Sequence, residues 1–118
     1  MVMTQRAATE FLPLKPVWYY VLLVLGDGRQ HGYAIGTAVE ELTDGAIRMW
    51  PATLYGTIHQ LEERGLITVV NADIDLGDDP RRRYCQLTSV GKRVLAAETE
   101  RLRELVRRAS RTRALRQA

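Results

Sequence analysis

The stretch Trp50–Ile67, WPATLYGTIHQLEERGLI, followed after a polar interval by Pro80–Thr88, PRRRYCQLT, decides the fold. Pro51 suits the first position of a helix, where its missing N–H would have no partner anyway. Leu54, Ile58 and Leu61 recur at i, i+4 and i+7, a stripe that faces a core. Gly65 ends this helix, and Leu66–Ala72 follows as a strand. Arg82–Leu87 reads as a second strand, with Asp73–Pro80 as the loop between them. A short amphipathic helix therefore runs straight into a β-hairpin whose second strand is basic.

Working outward, Met1–Glu10 is polar and aperiodic, and residues 1–13 read as a flexible arm. Pro16 opens a helix over Val17–Leu25, VWYYVLLVL. Its β-branched and aromatic residues make strand the alternative, but no turn pairs the run with a neighbouring strand. A helix apolar on nearly every side must be covered twice, by its own domain and by a second subunit. Gly26-Asp27-Gly28 marks a turn. A second helix opens at His31 or Gly32, with Ala34/Ile35, Ala38/Val39 and Leu42 at helical spacing. Thr43-Asp44-Gly45 stops it, and Ile47–Met49 can form a one-rung strand. Ser89 is the expected N-cap of a last helix over Val90–Arg113. That helix is ~35 Å long at about 1.5 Å per residue, more than one small domain covers. Its stripe of Val94, Leu95, Leu102, Leu105, Val106 and Ala109 thus points to a second copy of the chain.

These elements add up to a mainly α fold with a small β-hairpin. Residues 14–88 form a winged helix-turn-helix, and residues 89–118 form a C-terminal dimerisation helix with a basic tail. In that arrangement one helix lies in the DNA major groove and the hairpin touches the flanking backbone. The 118 residues allow one small domain plus a long helix and no second core. The longest apolar run is too short to span a bilayer, which takes ~20 residues. No ordered basic, apolar and small-residue segments of a signal peptide appear at the start. The expected compartment is the cytoplasm, with no membrane partner. A single cysteine, Cys85, excludes an internal disulfide and the usual zinc clusters. The formal net charge of +3 is unevenly placed: residues 1–88 carry 8 Lys/Arg against 11 Asp/Glu, and residues 89–118 carry 9 against 3. Overall basicity therefore says little about nucleic acid, and local clusters must carry that reading.

The motifs HGY at His31–Tyr33, ATLYGTIHQLEERGLI at Ala52–Ile67, PRRRYCQLT at Pro80–Thr88 and the following Gly91 stand in an order and spacing that resemble a PadR-type transcriptional regulator of the short kind, with one C-terminal dimerisation helix. The resemblance covers roughly Leu14 to Glu104. It implies a winged-helix dimer that represses transcription and, in several members, releases DNA on binding a small aromatic or cationic compound. Three departures stand out. Cys85-Gln86 replaces a more usual Tyr-Arg, which removes a cation from the second wing strand. Asp75, Asp78 and Asp79 put acids at the wing tip, where they should repel phosphate. Gly56 sits inside a helix at a cost of about 0.5–1 kcal/mol relative to Ala.

With Leu54, Ile58 and Leu61 inward, the opposite face of the third helix holds Ala52, Gly56, His59 and Glu63, flanked by Thr53, Tyr55 and Gln60. Thr53 and Tyr55 near the helix start suit phosphate. His59 and Gln60, a turn further on, suit base edges, since Gln pairs bidentately with adenine. Arg81, Arg82 and Arg83 are the one dense basic cluster before residue 89. On a strand Arg81 and Arg83 share a face and Arg82 takes the other. The DNA-contact set is therefore Thr53, Tyr55, Gly56, His59, Gln60, Arg81, Arg82 and Arg83. Solvated polar residues on the helix, and ion pairs between the arginines and the nearby aspartates, are the competing readings. His31 reads as structural. The run Asp73–Asp79 fails the calcium-loop pattern, with Gly77 and Tyr84 where ligands are needed. Cys85 reads as a packed small residue. Trp18, Tyr19 and Tyr20 are core by default, but Trp18 and Tyr19 beside a subunit interface would also suit a flat aromatic or lipophilic effector.

No nucleophile with a base, glycine-rich phosphate loop or metal-ligand set is present in the sequence, so an enzyme is not expected, and neither is a cofactor or a metal. The leading expectation is a homodimeric, sequence-specific repressor on a palindromic operator in double-stranded DNA. The alternative is a winged helix used only for protein interaction, which the acidic balance of residues 1–88 favours.

Overall fold

The computed structural model describes residues 8–117. In chain order the elements are α1 (Pro16–Leu25), β1 (Gln30–His31), α2 (Gly32–Leu42), α3 (Pro51–Glu63), β2 (Ile67–Asn71), a 3-10 turn at Ile74–Leu76, β3 (Arg83–Leu87), α4 (Ser89–Ser110) and α5 (Arg113–Arg116). The architecture is a winged helix-turn-helix with a long helix appended. α1 is the centre of the domain, in contact with α2, α3, α4 and β3. Its Trp18, Val21, Leu22 and Leu25 are buried together with Ile35 and Val39 of α2 and Leu54, Ile58 and Leu61 of α3. The i, i+4, i+7 stripe of α3 is thus the face turned inward.

α3 ends in a Schellman motif. Gly65 adopts φ +74°, its N–H donates to the Glu62 carbonyl at 2.9 Å, and the Leu66 N–H donates to the Leu61 carbonyl at 3.0 Å. Leu61 and Leu66 are both fully buried, which supplies the apolar contact that accompanies this motif. The chain then enters β2 with no intervening loop.

The sheet has three strands in the order β1-β3-β2, all antiparallel. Ile67 pairs with Leu87, Val69 with Cys85 and Asn71 with Arg83 on one side, and Gln30 pairs with Cys85 and His31 with Tyr84 on the other. The third strand is therefore Gln30–His31, and Ile47–Met49 is not a strand. Residues 47–50 are committed elsewhere. The Ile47 N–H donates to Thr43 Oγ1 at 3.0 Å, and Ile47 and Met49 pack on the core.

α4 begins at Ser89, one residue earlier than expected, and its cap moves back with it. Thr88, not Ser89, accepts from the Gly91 N–H, at 2.9 Å. The helix also stops at Ser110, and Thr112 caps the short α5. The expected flexible arm lies partly outside the described residues. From Ala8 onward it is docked: Ala8 and Leu14 are in the core, with Phe11 and Leu12 packed against it. The Leu14 N–H donates to the buried Glu98 Oε2 at 2.9 Å, and Arg101 Nη2 completes that carboxylate at 3.0 Å. The few apolar residues here, Ala8, Phe11, Leu12 and Leu14, are too few to show a period in the sequence.

A Cβ at Gly91 would sit 1.9 Å from the Leu66 carbonyl oxygen, whereas a Cβ at Gly56 would meet nothing within 4 Å. Gly91→Ala should therefore lower unfolding free energy by about 3 kcal/mol or more, because backbone must give way. Gly56→Ala should raise it by roughly 0.5–1 kcal/mol through helix propensity. Urea denaturation of the two variants checks both signs.

Candidate nucleic-acid interface

The outward face of α3 is made by what the core stripe leaves over. Thr53, Tyr55, Gly56, His59 and Gln60 are all exposed. Trp50 occupies the N-cap position and its side chain makes no capping bond. The first-turn N–H groups of α3 are thereby left for an outside acceptor. Further along, His59 Nε2 lies 2.7 Å from Glu63 Oε1, so the acid one turn on orients the imidazole.

Tyr55 leans across the segment His31–Tyr33. A Cβ on Gly32 would come within 2.8 Å of Tyr55 Cε1, so only glycine admits the ring there. His31 caps α2: its Nδ1 accepts from the Ala34 N–H at 3.2 Å. The ring also stands edge-on to Tyr84 at 5.7 Å and faces Tyr33 at 6.5 Å. Arg82 Nη1 approaches the same Nδ1 at 2.9 Å. An imidazole whose Nδ1 accepts is neutral, with its proton on Nε2. Burial chiefly, and then the Arg82 cation, push the His31 pKa below its ordinary value, against a weaker pull upward from Asp79.

Only Arg83 of the arginine cluster lies in β3; Arg81 and Arg82 stand in the turn before it. The strand alternation expected for the three does not hold. All three instead line one cleft of about 410 Å³ with His31, Tyr33, Tyr55 and Ile58, so the turn brings them beside α3. Their partners differ. Arg81 Nη2 lies 3.0 Å and Arg82 Nε 3.5 Å from Asp79 Oδ2, while Arg83 has no ion pair among the described residues. The acidic wing tip is also rearranged by its own contacts. Asp78 pairs with Arg29 and accepts from the Asp73 N–H at 2.8 Å, and Asp73 caps the Asp75 N–H at 3.0 Å. Outward at the tip stand Ile74 and Leu76.

Several neighbours of this face were not singled out from sequence. Tyr33 is 71% exposed and Trp50 64% exposed, with the Arg48 guanidinium 5.6 Å from the Trp50 ring. Arg29 both holds Asp78 and lies 5.4 Å from the Tyr84 ring. The signal for Tyr33 was its place off the apolar spacing of α2. Arg29 carried no signal, since its partner is 49 residues away.

The other expected site residues lie away from this face. Trp18 is buried between Lys15 Nζ at 5.2 Å and Arg64 at 5.7 Å. Tyr19 Oη bonds Thr99 Oγ1 of α4 at 2.8 Å. Val94 is fully buried and Leu95 packs against the same core. Leu102 is half-buried, Leu105 is 49% exposed and Val106 is 66% exposed. Burial pushes the Cys85 thiol up to about 11, so it stays a packed, protonated side chain.

Residues 21–97 match the model of the transcriptional regulator PadR-like family. The chain is similar to the solved structure of a transcriptional regulator from Clostridium thermocellum, at 26% identity and TM-score 0.64, covering 79% of this chain and 84% of that one. It shares its fold with Bacillus subtilis PadR, solved in complex with operator DNA, at 22% identity and TM-score 0.59, covering 72% of this chain and 47% of that one. It is also 34% identical over 85 residues to an uncharacterised 37.1 kDa protein in transposon Tn4556 of Streptomyces fradiae. That alignment takes in 72% of this chain but 22% of the transposon protein's length.

The cap formed by His31 gives a pH-dependent stability with a definite sign. A depressed folded-state pKa means that the unfolded chain takes up the proton first. Stability is therefore full above the unfolded value near 6.5 and falls as pH drops from there through the lower folded value. His31→Asn keeps a capping acceptor and should lose that slope, whereas His31→Ala should lose about 1 kcal/mol at neutral pH. Urea midpoints at about pH 7.5 and about pH 5.5 separate the two variants from the unmodified chain.

Proposed function

Because this chain belongs to the PadR-like family of transcriptional regulators, which bind DNA and are not enzymes, we propose that it is a sequence-specific repressor acting in the cytoplasm as a homodimer on a palindromic operator. The observation that carries the reading is the shared placement of Tyr55 and Arg81–Arg83 around one cleft beside the polar face of α3. In this reading α3 enters the major groove. Thr53, Tyr55 and Gly56 at its start meet the sugar–phosphate backbone, and His59 and Gln60 meet base edges. Arg81, Arg82 and Arg83 contact phosphates beside the groove. Two copies joined through α4 place two α3 helices in successive major grooves about 34 Å apart.

The exposed Leu105 and Val106, with the half-buried Leu102, support pairing with a second copy, since burying each gains about 1.5–3 kcal/mol. Val94 and Leu95 contribute from the protomer core beneath. An effector, in the same reading, is a flat aromatic or lipophilic compound taken up near Trp18 and Tyr19 where the second copy closes over α1. Tryptophan quenching that persists in a Trp50→Phe variant is its signature. The second reading, a winged helix for protein interaction alone, draws on the pairing of Arg81 and Arg82 with Asp79.

Titration of duplex DNA against salt separates the two readings, because a protein-interaction module has no steep counterion-release slope. For the regulator, Arg83→Ala should weaken binding to all sequences alike and lower the slope by about one. His59→Ala or Gln60→Ala should change base preference, and unchanged preference in both would remove them from base reading. Leu102→Asp combined with Leu105→Asp should give monomers in sedimentation equilibrium that no longer hold the operator. An unmodified chain that is monomeric at micromolar concentration would defeat the dimer.

A further inference from the structure

Asp79 grips the guanidinium of Arg81. Its Oδ1 accepts from the Arg81 main-chain N–H at 2.9 Å and from Arg81 Nε at 3.1 Å, and its Oδ2 accepts from Arg81 Nη2 at 3.0 Å. This is the two-pronged fork that a guanidinium makes equally with a carboxylate and with a phosphate. Arg82 Nε adds a fourth approach, at 3.5 Å. The acid is held by the fold. Its N–H donates to Tyr84 Oη at 2.9 Å, and its carbonyl accepts from the Arg82 N–H at 3.0 Å, closing a tight turn. The Arg81 guanidinium keeps the Asp79 carboxyl well below the usual carboxylate range, so it remains an anion at neutral pH. The neighbouring acid is engaged differently, since Asp78 points back to Arg29 and the Asp73 N–H.

Resting on the DNA-binding reading above, we propose that Asp79 is an intramolecular phosphate mimic that sets how strongly the wing grips any DNA. Its carboxylate occupies the fork of Arg81 and shields Arg82 in the free protein, and DNA must displace it before either arginine reaches a phosphate. Arg83 is outside this clasp and makes the first contact. The wing therefore contributes less sequence-independent affinity than three arginines would, which leaves recognition to the face of α3.

Affinity for a random duplex and for the operator, each measured by fluorescence anisotropy across a salt series, tests this. Asp79→Asn keeps an acceptor for the Arg81 N–H but removes the charge. It should tighten both complexes about three- to fivefold at low salt, the range of an exposed ion pair. It should also steepen the salt slope by about 0.9, one more phosphate contact. Asp79→Ser should act in the same direction, and thermal melts of both variants verify folding. In an Arg81→Ala background the effect of Asp79→Asn should largely vanish, because the pair no longer exists. Asp75→Asn makes the same change in net charge at an exposed wing acid with no ion pair among the described residues, and should tighten binding much less. Equal tightening by Asp75→Asn, or unchanged or weaker binding by both folded Asp79 variants, overturns the mimic and leaves the regulator standing. Failure of the unmodified chain to bind any duplex overturns the regulator reading and this inference with it.

Discussion

Thr88 and Gly91 join three parts of this protein at one point. The Thr88 hydroxyl donates to the Gly65 carbonyl at 2.6 Å and accepts from the Gly91 N–H at 2.9 Å, while the Thr88 N–H donates to the Leu66 carbonyl at 3.1 Å. Gly65 and Leu66 are the end of α3, and Gly91 is the first turn of α4. The same side chain thus caps the long helix and ties it to the end of the helix that carries the polar face. Because Leu66 leads directly into β2 and β3 leads directly to Thr88, the hairpin is anchored at both ends by that contact. The bare Cα of Gly91 against the Leu66 carbonyl is the steric condition for it. This junction ties the end of α3, both ends of the wing and the start of α4 together.

Charge is organised locally rather than globally. The deficit of cations before residue 89 suggests a poor nucleic-acid surface, yet the fold moves several acids out of contention. Asp78 is turned onto Arg29, and Asp73 is spent on caps and turns. In the tail, Glu98 is likewise engaged, buried against the Leu14 N–H and Arg101, where its carboxyl is held below the usual range chiefly by the Arg101 hydrogen bond. What remains beside α3 is a cleft with three guanidinium groups, one of them without an ion pair among the described residues. Along α4 the arginines pair at i, i+3 with Glu98, Glu100 and Glu104, which leaves the Leu105–Val106 stripe between charged flanks.

Much of the candidate site was legible because α3 obeys a helical period. Once Leu54, Ile58 and Leu61 are inward, the exposure of Thr53, Tyr55, His59 and Gln60 follows from 3.6 residues per turn. The arginines were legible as a cluster but not as an arrangement. Periodicity of two applies to a strand, and Arg81 and Arg82 lie before it. Val94 and Leu95 show a similar limit. A stripe on one long helix is continuous in sequence, but α1 and β3 cover its first turns and leave only its later ones exposed.

The sequence by itself determined the four main helices, the two wing strands, the core stripe of α3 and the stop at Gly65, because those depend on residues within a few turns of one another. Only the tertiary structure decided that Gln30–His31, not Ile47–Met49, is the third strand, and that Thr88, not Ser89, caps α4. It likewise decided that Leu14 is pinned by Glu98, that Arg29 restrains the wing, and that Asp79 clasps Arg81 while Arg83 is left outside. Most of these outcomes depend on groups far apart along the chain that meet only after the core has formed. The Thr88 cap and the Asp79 clasp are short-range, but which of several equally suitable hydroxyls or acids is used depends on where the junction at Gly65 and the turn before β3 place the backbone. Local periodicity can say that a cap or an ion pair is available, and three-dimensional packing selects the partner.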